Sequence, residues 1–309
     1  MLEEIPCPVC GAAHPGLYID GDDEPIAVES VGSSRAKLSH GRILLCGSCG
    51  LAYRSLRPES DQLARLYQAA DDQTYEAEMR NRRRTAERHK RIAGKHCPAR
   101  GTLIDVGCAS GAFLCIMADS GWRVFGVEPS ISQYARAVGA LNGRGHIQNC
   151  VLQEAELPEH VDLVTMWDVL EHVPEPVQFL ELAASFLKPG GYVIVNVPRI
   201  DSLAARLLGA RWPVLLAEHL CYFTAASLRE CGRRAGLDLL ETGQRPVSFS
   251  LDYLFFRGAQ HGIPAASVIR RVLTKARVSS LSFPFWLGEV YAVYKKPESP
   301  GPSLPLSRH

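Results

Sequence analysis

Two five-residue stretches of matching spacing, "CPVCG" and "CGSCG", open the chemistry of this chain of 309 residues. They place Cys7, Cys10, Cys46 and Cys49 as two C-x2-C pairs separated by 35 residues. Each pair is a tight knuckle followed by glycine, which helps backbone N–H groups turn toward the thiolates. Four thiolates at this spacing converge on a tetrahedral metal, and zinc is favoured over an iron–sulfur cluster because nothing else suggests redox work. Such a site has no open position, so its expected role is structural. A module of about fifty residues has a small core and draws much of its folding free energy from the ion. Two disulfides are the alternative, disfavoured by the cytoplasmic setting expected below. His14 and His40 lie nearby and are unnecessary as ligands. The other six of ten cysteines are scattered singly and read as reduced, buried thiols.

The second concentration of chemistry is "LIDVGCASGAFL". An apolar run ends in Asp105, a turn of small residues follows (Gly107, Cys108, Ala109, Ser110, Gly111), and an apolar helix begins. Small side chains let a ligand approach the N–H groups at the helix N-terminus. Glu128 ends the next apolar run, "VFGVEPS", 23 residues after Asp105. That is about the separation at which an acid accepts both hydroxyls of a ribose. NAD would require glycine at positions 109 and 112, which carry Ala109 and Ala112, and Asp105 would repel its pyrophosphate. A nucleoside with a cationic tail fits better, and S-adenosylmethionine is such a ligand. Ala109 is expected to keep a negative φ.

Methyl transfer from that ligand is an in-line displacement, so alignment supplies much of the acceleration. A base is needed only for an alcohol or a carbon acid. The candidates are His172 in "LEHV", and His219 and Tyr222 in "AEHLCYFT". His219 follows a long loop of the kind that faces substrate. His172 also suits a role in shaping the backbone.

The elements that must position these groups follow from pattern. "GTLIDVGC", "WRVFGVEP", "VDLVTMWD" and "GYVIVNVP" are apolar strands alternating with helical stretches, which implies a parallel sheet covered by helices. The expected divisions are a zinc-binding module over 1–56, a helical lead-in over 57–100, an α/β domain over 101–297, and a Pro/Ser-rich disordered tail over 298–309. Stretches at about 199–223 and 251–286 are the natural substrate covers. The net charge of +1, with 46% hydrophobic and 22% charged residues, is that of an ordinary globular protein without a general polyanion partner. No signal peptide and no long apolar window is read, so a cytoplasmic protein is expected.

In order along the chain, "LIDVGCASGAFL", "VFGVEPS", "VDLVTMWDVLEHVPEP" and "LKPGGYVIVNVP" resemble the motifs of class I S-adenosylmethionine-dependent methyltransferases. "EHLCYFTAASLRECGRRAGLDLLE" is similar to one bacterial subgroup of that superfamily. The resemblance implies a Rossmann-like, seven-stranded, mostly parallel α/β sheet with helices on both faces, beside a zinc-ribbon-like module. It implies that Glu128 holds the ribose, with Pro129 and Ser130 beside the adenine. Gln153, Glu154 and Ala155 would lie near the adenine amino group, while Met166, Trp167 and Asp168 would line the methionine end. An aromatic residue of the lead-in covers the cofactor in related enzymes, and Tyr75 is the candidate here. Similar four-cysteine modules precede the domain in some sugar methyltransferases, which points to a small-molecule acceptor, a sugar or lipid-linked glycan precursor, methylated at O or C.

Two other readings stand beside that one. Arg80, Arg82, Arg83, Arg84, Arg88, Lys90, Arg91 and Lys95 crowd one helical stretch, which with a zinc module suits rRNA or tRNA methylation. Near-neutral overall charge and the lack of an Asn/Asp-Pro-Pro-aromatic motif argue against nucleic acid, and a solvated helix face is favoured. The other reading is a cofactor-binding interaction protein without turnover. The amphipathic "ASVIRRVLTKARVSSL" is expected to cap the sheet edge, with peripheral membrane contact as its alternative. The oligomeric state stays open.

Overall fold

A computed structural model describes residues 5–21, 40–54, 66–68, 79–244, 246–260 and 264–298. Three short strands come first: β1 (Gly16–Ile19), β2 (Ile43–Leu45) and β3 (Ala52–Arg54). Helix α1 (Met79–His96) leads into β4 (Thr102–Val106), α2 (Ala112–Asp119), β5 (Arg123–Val127), α3 (Ile131–Leu141) and β6 (Gly145–Gln148). Next are β7 (Val161–Trp167), α4 (Pro176–Ser185), β8 (Leu187–Pro198), α5 (Leu203–Leu208), β9 (Cys221–Tyr222) and α6 (Ala225–Arg234). The chain continues through β10 (Asp238–Gln244), β11 (Val247–Ser250), α7 (Leu251–Gln260), α8 (Ala266–Lys275), β12 (Ser282–Phe285) and β13 (Glu289–Lys295).

The large sheet has the order β10-β13-β8-β7-β4-β5-β6. Neighbours are parallel from β8 through β6, and β13 runs against both of its neighbours. The central parallel strands β4, β7 and β8 are largely apolar because helices bury both faces. Leu103 packs with Leu114 and Met117 of α2 on one face, while Ile104 and Val106 pack with Leu180 and Ala183 of α4 on the other. That alternation is the two-residue period of a strand. The chain leaves β4 toward β5 on one side and later returns to β7 on the other. The carboxyl end of β4 is therefore the switch point at which an open α/β sheet binds ligands.

The four strands read from sequence are β4, β5, β7 and β8. The helix placed from about Thr224 is α6, capped by a reciprocal Thr224–Ser227 box. In the N-terminal module the "RILLC" run is β2, which pairs antiparallel with β1 and β3. Its expected partner, "IAVES", and the tail beyond Glu298 lie outside the described residues.

The module does not pack alone. β9 supplies the fourth strand of its sheet, pairing Ala52 with Tyr222 and Tyr53 with Cys221. Arg54, itself buried, donates from Nη1 to the Ala217 carbonyl at 2.7 Å. Cys7, Cys46, Leu51 and Tyr53 belong to the same apolar cluster as Val164 and Val195 of the large sheet. Core and sheet thus run continuously across the boundary expected at residue 56. Among the described residues no helix is long and apolar enough to cross a membrane.

Candidate active site

A cavity of about 1580 Å³ opens over the carboxyl ends of β4, β5 and β7. The turn after β4 forms one wall. Gly107 has φ 66°, and a Cβ there would lie 2.6 Å from Val169 Cγ2, so glycine is required. Ala109 has φ 47°, which corrects the negative φ expected for it. A left-handed alanine costs about 1 kcal/mol, and the Ala109 N–H donates to Glu128 Oε2 at 2.8 Å, which holds the turn in that shape. The other Glu128 oxygen accepts from Ser130 N at 2.8 Å. Burial pushes the Glu128 carboxyl up, and these two N–H bonds act against it. Each oxygen keeps a further lone pair for a ligand hydroxyl.

Asp105 is 2% exposed and accepts from Thr165 Oγ1 at 2.6 Å. Burial raises its pKa to about 7, the Thr165 bond lowers it, and Glu128 raises it. A carboxyl so poised ionises readily when a cation arrives.

Asp105, Gly107, Cys108, Ala109, Ser110, Glu128, Pro129, Ser130, Gln153, Glu154, Trp167 and Asp168 all line the cavity. Three of the cofactor candidates do not. Gly111 caps α2 with φ 76°, and a Cβ there would sit 3.2 Å from that of Ala137, so it serves helix packing. Ala155 and the fully buried Met166 pack into the apolar core. Tyr75 lies outside the described residues.

An aromatic stack of His89, Trp167 and Phe113 lines the cavity. The His89 and Trp167 rings lie 3.6 Å apart and nearly parallel, and Phe113 meets both edge-on. His89 comes from α1, whose Asn81, Arg82, Thr85 and Ala86 also line the wall. The basic stretch is thus a cavity wall on one side. On the other, Lys95 and His96 bond Glu241 and Arg88 bonds the Pro246 carbonyl.

Beyond the stack lie His172 and His219, with ring centroids 4.7 Å apart. His172 Nδ1 sits 3.0 Å from the Tyr67 hydroxyl and 3.1 Å from the Glu218 carbonyl. His219 Nδ1 sits 3.0 Å from the Val214 carbonyl. A carbonyl only accepts, so the proton belongs on Nδ1 in both rings and the lone pair on Nε2. Burial pushes the His172 pKa down to about 4 and holds His219 well below its ordinary value, so both rings are neutral.

Tyr222, the third base candidate, is a correction. It has no exposed surface and lies off the cavity wall, its hydroxyl bonded to both N and O of Leu216. Four acids that the sequence reading passed over do line the cavity: Glu171, Glu175, Glu218 and Glu289. Glu171 and Glu218 directly precede the two histidines, a doubled "EH" pair that could have drawn attention. The loop 199–223 contributes Leu208, Arg211, Pro213, Val214 and Leu216 to the cavity. The later insertion contributes Tyr253, Leu254 and Gly258, with Val247, Ser248 and Phe249 just before it. α8 packs on α7, where Arg270 pairs with Asp252 and covers Phe256 at 5.0 Å.

In the N-terminal module the four cysteine sulfurs lie within 4.8 Å of one another, with Cys7–Cys49 at 3.5 Å and Cys10–Cys46 at 3.4 Å. Disulfides would need about 2.05 Å. Four sulfurs at about 2.3 Å from a zinc ion stand about 3.8 Å apart, so the donor set fits that ion. Gly11 and Gly50, with φ 75° and 76°, return their N–H groups to the Cys7 and Cys46 carbonyls.

The strand order, the reversed β13, and a small-residue turn facing an acid on the next strand define a class I S-adenosylmethionine-dependent methyltransferase. Sequence comparison agrees: the chain belongs to the methyltransferase domain family, whose pattern matches residues 75–242. It is 31% identical over 167 residues to a ubiquinone biosynthesis O-methyltransferase from Nitrosospira multiformis, covering 50% of this chain and 67% of that one. The same-named protein from Chromobacterium violaceum is 30% identical over 167 residues, covering 50% and 68%. Among solved structures, a chain from the complex of the Haloferax volcanii Trm112 methyltransferase activator with a methyltransferase shares the fold. Its TM-score is 0.50 at 20% identity, over 74% of this chain and 99% of that one.

Proposed function

We propose that this enzyme O-methylates a hydroxyl group on a small, largely apolar acceptor. The observation that carries the reading is the shared cavity: a nucleoside cradle at the sheet end and two neutral imidazoles face one space, under a cover rich in apolar side chains. The relatives named for O-methylation in ubiquinone biosynthesis support an oxygen acceptor.

In this reading Glu128 receives the ribose hydroxyls on its remaining lone pairs, and Pro129, Ser130, Gln153 and Glu154 border the base. Asp105 and Asp168 face the amino-acid end, and the His89–Trp167–Phe113 stack closes that side against water. Bound S-adenosylmethionine supplies a methyl group already activated on a sulfonium. The protein's task is to align the acceptor oxygen and to favour its deprotonated form. His172 and His219 do this through Nε2, while Phe249, Tyr253, Leu254 and Val214 hold the acceptor's apolar body.

The four cysteines are proposed to hold one structural zinc ion, and the module over 1–56 is proposed to form with it. Elemental analysis of the purified chain should find zinc that Cys46→Ser removes. The function is tested by incubating the protein with S-adenosylmethionine and a panel of phenols and sugar alcohols, with mass detection of product. Methylation of a phenolic oxygen supports the reading. Transfer only to a sugar carbon or to RNA overturns it.

A further inference from the structure

His219 reaches the cavity from a loop that the cysteine module holds in place. Strand β3 follows the Cys46–Cys49 knuckle and ends in Arg54, which is 4% exposed. Its side chain donates from Nη1 to the Ala217 carbonyl at 2.7 Å, and its backbone N–H donates to the Leu220 carbonyl at 3.0 Å. One residue thus grips the loop on both sides of Glu218 and His219, which both line the cavity. The hold extends across the site. The Glu218 carbonyl meets His172 Nδ1 at 3.1 Å, and the Leu220 N–H donates to the Glu171 carbonyl at 2.8 Å. The guanidinium lies against Gly41, where a Cβ would stand 2.6 Å from Nη2, so a residue without a side chain makes room for it. Burying a guanidinium carries a large desolvation penalty. Tyr222 already anchors the same loop at Leu216. What Arg54 adds is definition of the two-residue span that faces the cavity.

We propose that Arg54 is a positioning residue for methyl transfer. From the cysteine module it fixes the direction of the His219 ring and, through the Glu218 carbonyl, that of His172. The proposal rests on the O-methylation reading, in which the two Nε2 lone pairs meet the acceptor hydroxyl. Alignment supplies much of the rate in such a displacement, and a misplacement of about 1 Å can cost about 100-fold. The shared sheet has the same consequence: β9, which pairs with β3, begins two residues after His219. The cofactor side hangs on β4 and β5 and makes no use of this hold.

The test compares full-length wild type with Arg54→Met, Arg54→Lys and Tyr222→Phe. Calorimetry should find S-adenosylhomocysteine affinity within about twofold of wild type in all three, because the sites are separate. Arg54→Met removes the donor, so kcat should fall about 10- to 100-fold while KM for the acceptor changes less than about threefold. Arg54→Lys keeps the charge and one donor and should recover kcat to within about tenfold of wild type. Tyr222→Phe loosens the loop outside the span and should retain turnover. Nitrogen NMR spectra of histidine-labelled protein read the effect without turnover. In wild type His172 and His219 should each give a single Nδ1-protonated tautomer. Arg54→Met should move or split both signals and leave His89 and His96 in place. Unchanged His172 and His219 signals in Arg54→Met overturn the proposal, as does unchanged kcat or an equal loss in Tyr222→Phe. Loss of S-adenosylhomocysteine binding in both Arg54 variants also overturns it, since Arg54 would then support the whole fold. If the signals move as described and wild type methylates no oxygen acceptor, the placement of the rings by Arg54 stands and the O-methylation reading falls.

Discussion

The two halves of the cavity are built by different means. The half proposed to hold the cofactor stands on strand ends. Asp105, Glu128 and Trp167 come from β4, the end of β5 and β7, which are fixed by parallel pairing and burial on both faces. The half proposed to hold the acceptor stands on loops. Glu171 and His172 follow β7 in a single 3-10 turn, His219 ends the long loop after β8, and their carbonyl partners lie on that same loop. A sheet end tolerates little variation in geometry, whereas loops on the same scaffold can be rebuilt for another acceptor. The comparison teaches that cofactor affinity and acceptor chemistry should respond to separate sets of substitutions.

His219→Gln should sharpen that separation most. It removes an Nε2 lone pair beside the acceptor, so kcat should fall by about 10²–10⁴. The affinity for S-adenosylhomocysteine, measured by calorimetry, should stay within about twofold. Equal losses in both would merge the two halves. Glu128→Ala is the converse. It removes the proposed ribose acceptors and the bond that holds Ala109, and two charge-assisted bonds correspond to about 100-fold in cofactor affinity. KM for the acceptor should be little changed.

A third difference is pH. Asp105 has its pKa raised to about 7 by burial. A ligand with an ammonium group favours the ionised carboxyl, so affinity should fall below about pH 7, by at most about tenfold per unit, with a proton given to the buffer on binding and taken up again on release. Without ligand the sign is opposite. The folded state holds the proton between the unfolded carboxyl value near 4 and about 7, so stability should decline as pH rises through that window and level off above it. Denaturant midpoints across pH 4–8 measure this, and a flat profile would show Asp105 to be ionised throughout.

The smallest effects concern backbone and packing. Ala109→Gly should raise stability by up to about 1 kcal/mol by relieving the left-handed φ. Tyr222→Phe should cost about 1 kcal/mol for the lost bond to Leu216 while turnover is retained. A large loss of turnover in Tyr222→Phe would return that residue to the acceptor half.

The same division explains what could be read in the chain itself. C-x2-C pairs and the run from Leu103 to Leu114 declare themselves through local spacing, and continuous apolar strands declare a parallel sheet. Glu128 was legible because a βαβ unit fixes its distance from Asp105. The tie between β9 and the cysteine module was not, since a two-residue strand has no period. Glu171 was passed over because its importance arises only when the loop after β8 brings His219 against it. Tyr222 was misplaced because the segment 219–222 turns from cavity to core within three residues. Ala109 shows the converse: its conformation is imposed by Glu128, a partner 19 residues away.

Calorimetric titration of the folded protein with S-adenosylhomocysteine tests the central claim most directly. The account predicts saturable binding of one equivalent at the end of β4, weakened about 100-fold by Glu128→Ala. Absence of binding to folded wild-type protein, or binding unaffected by Glu128→Ala, would contradict it.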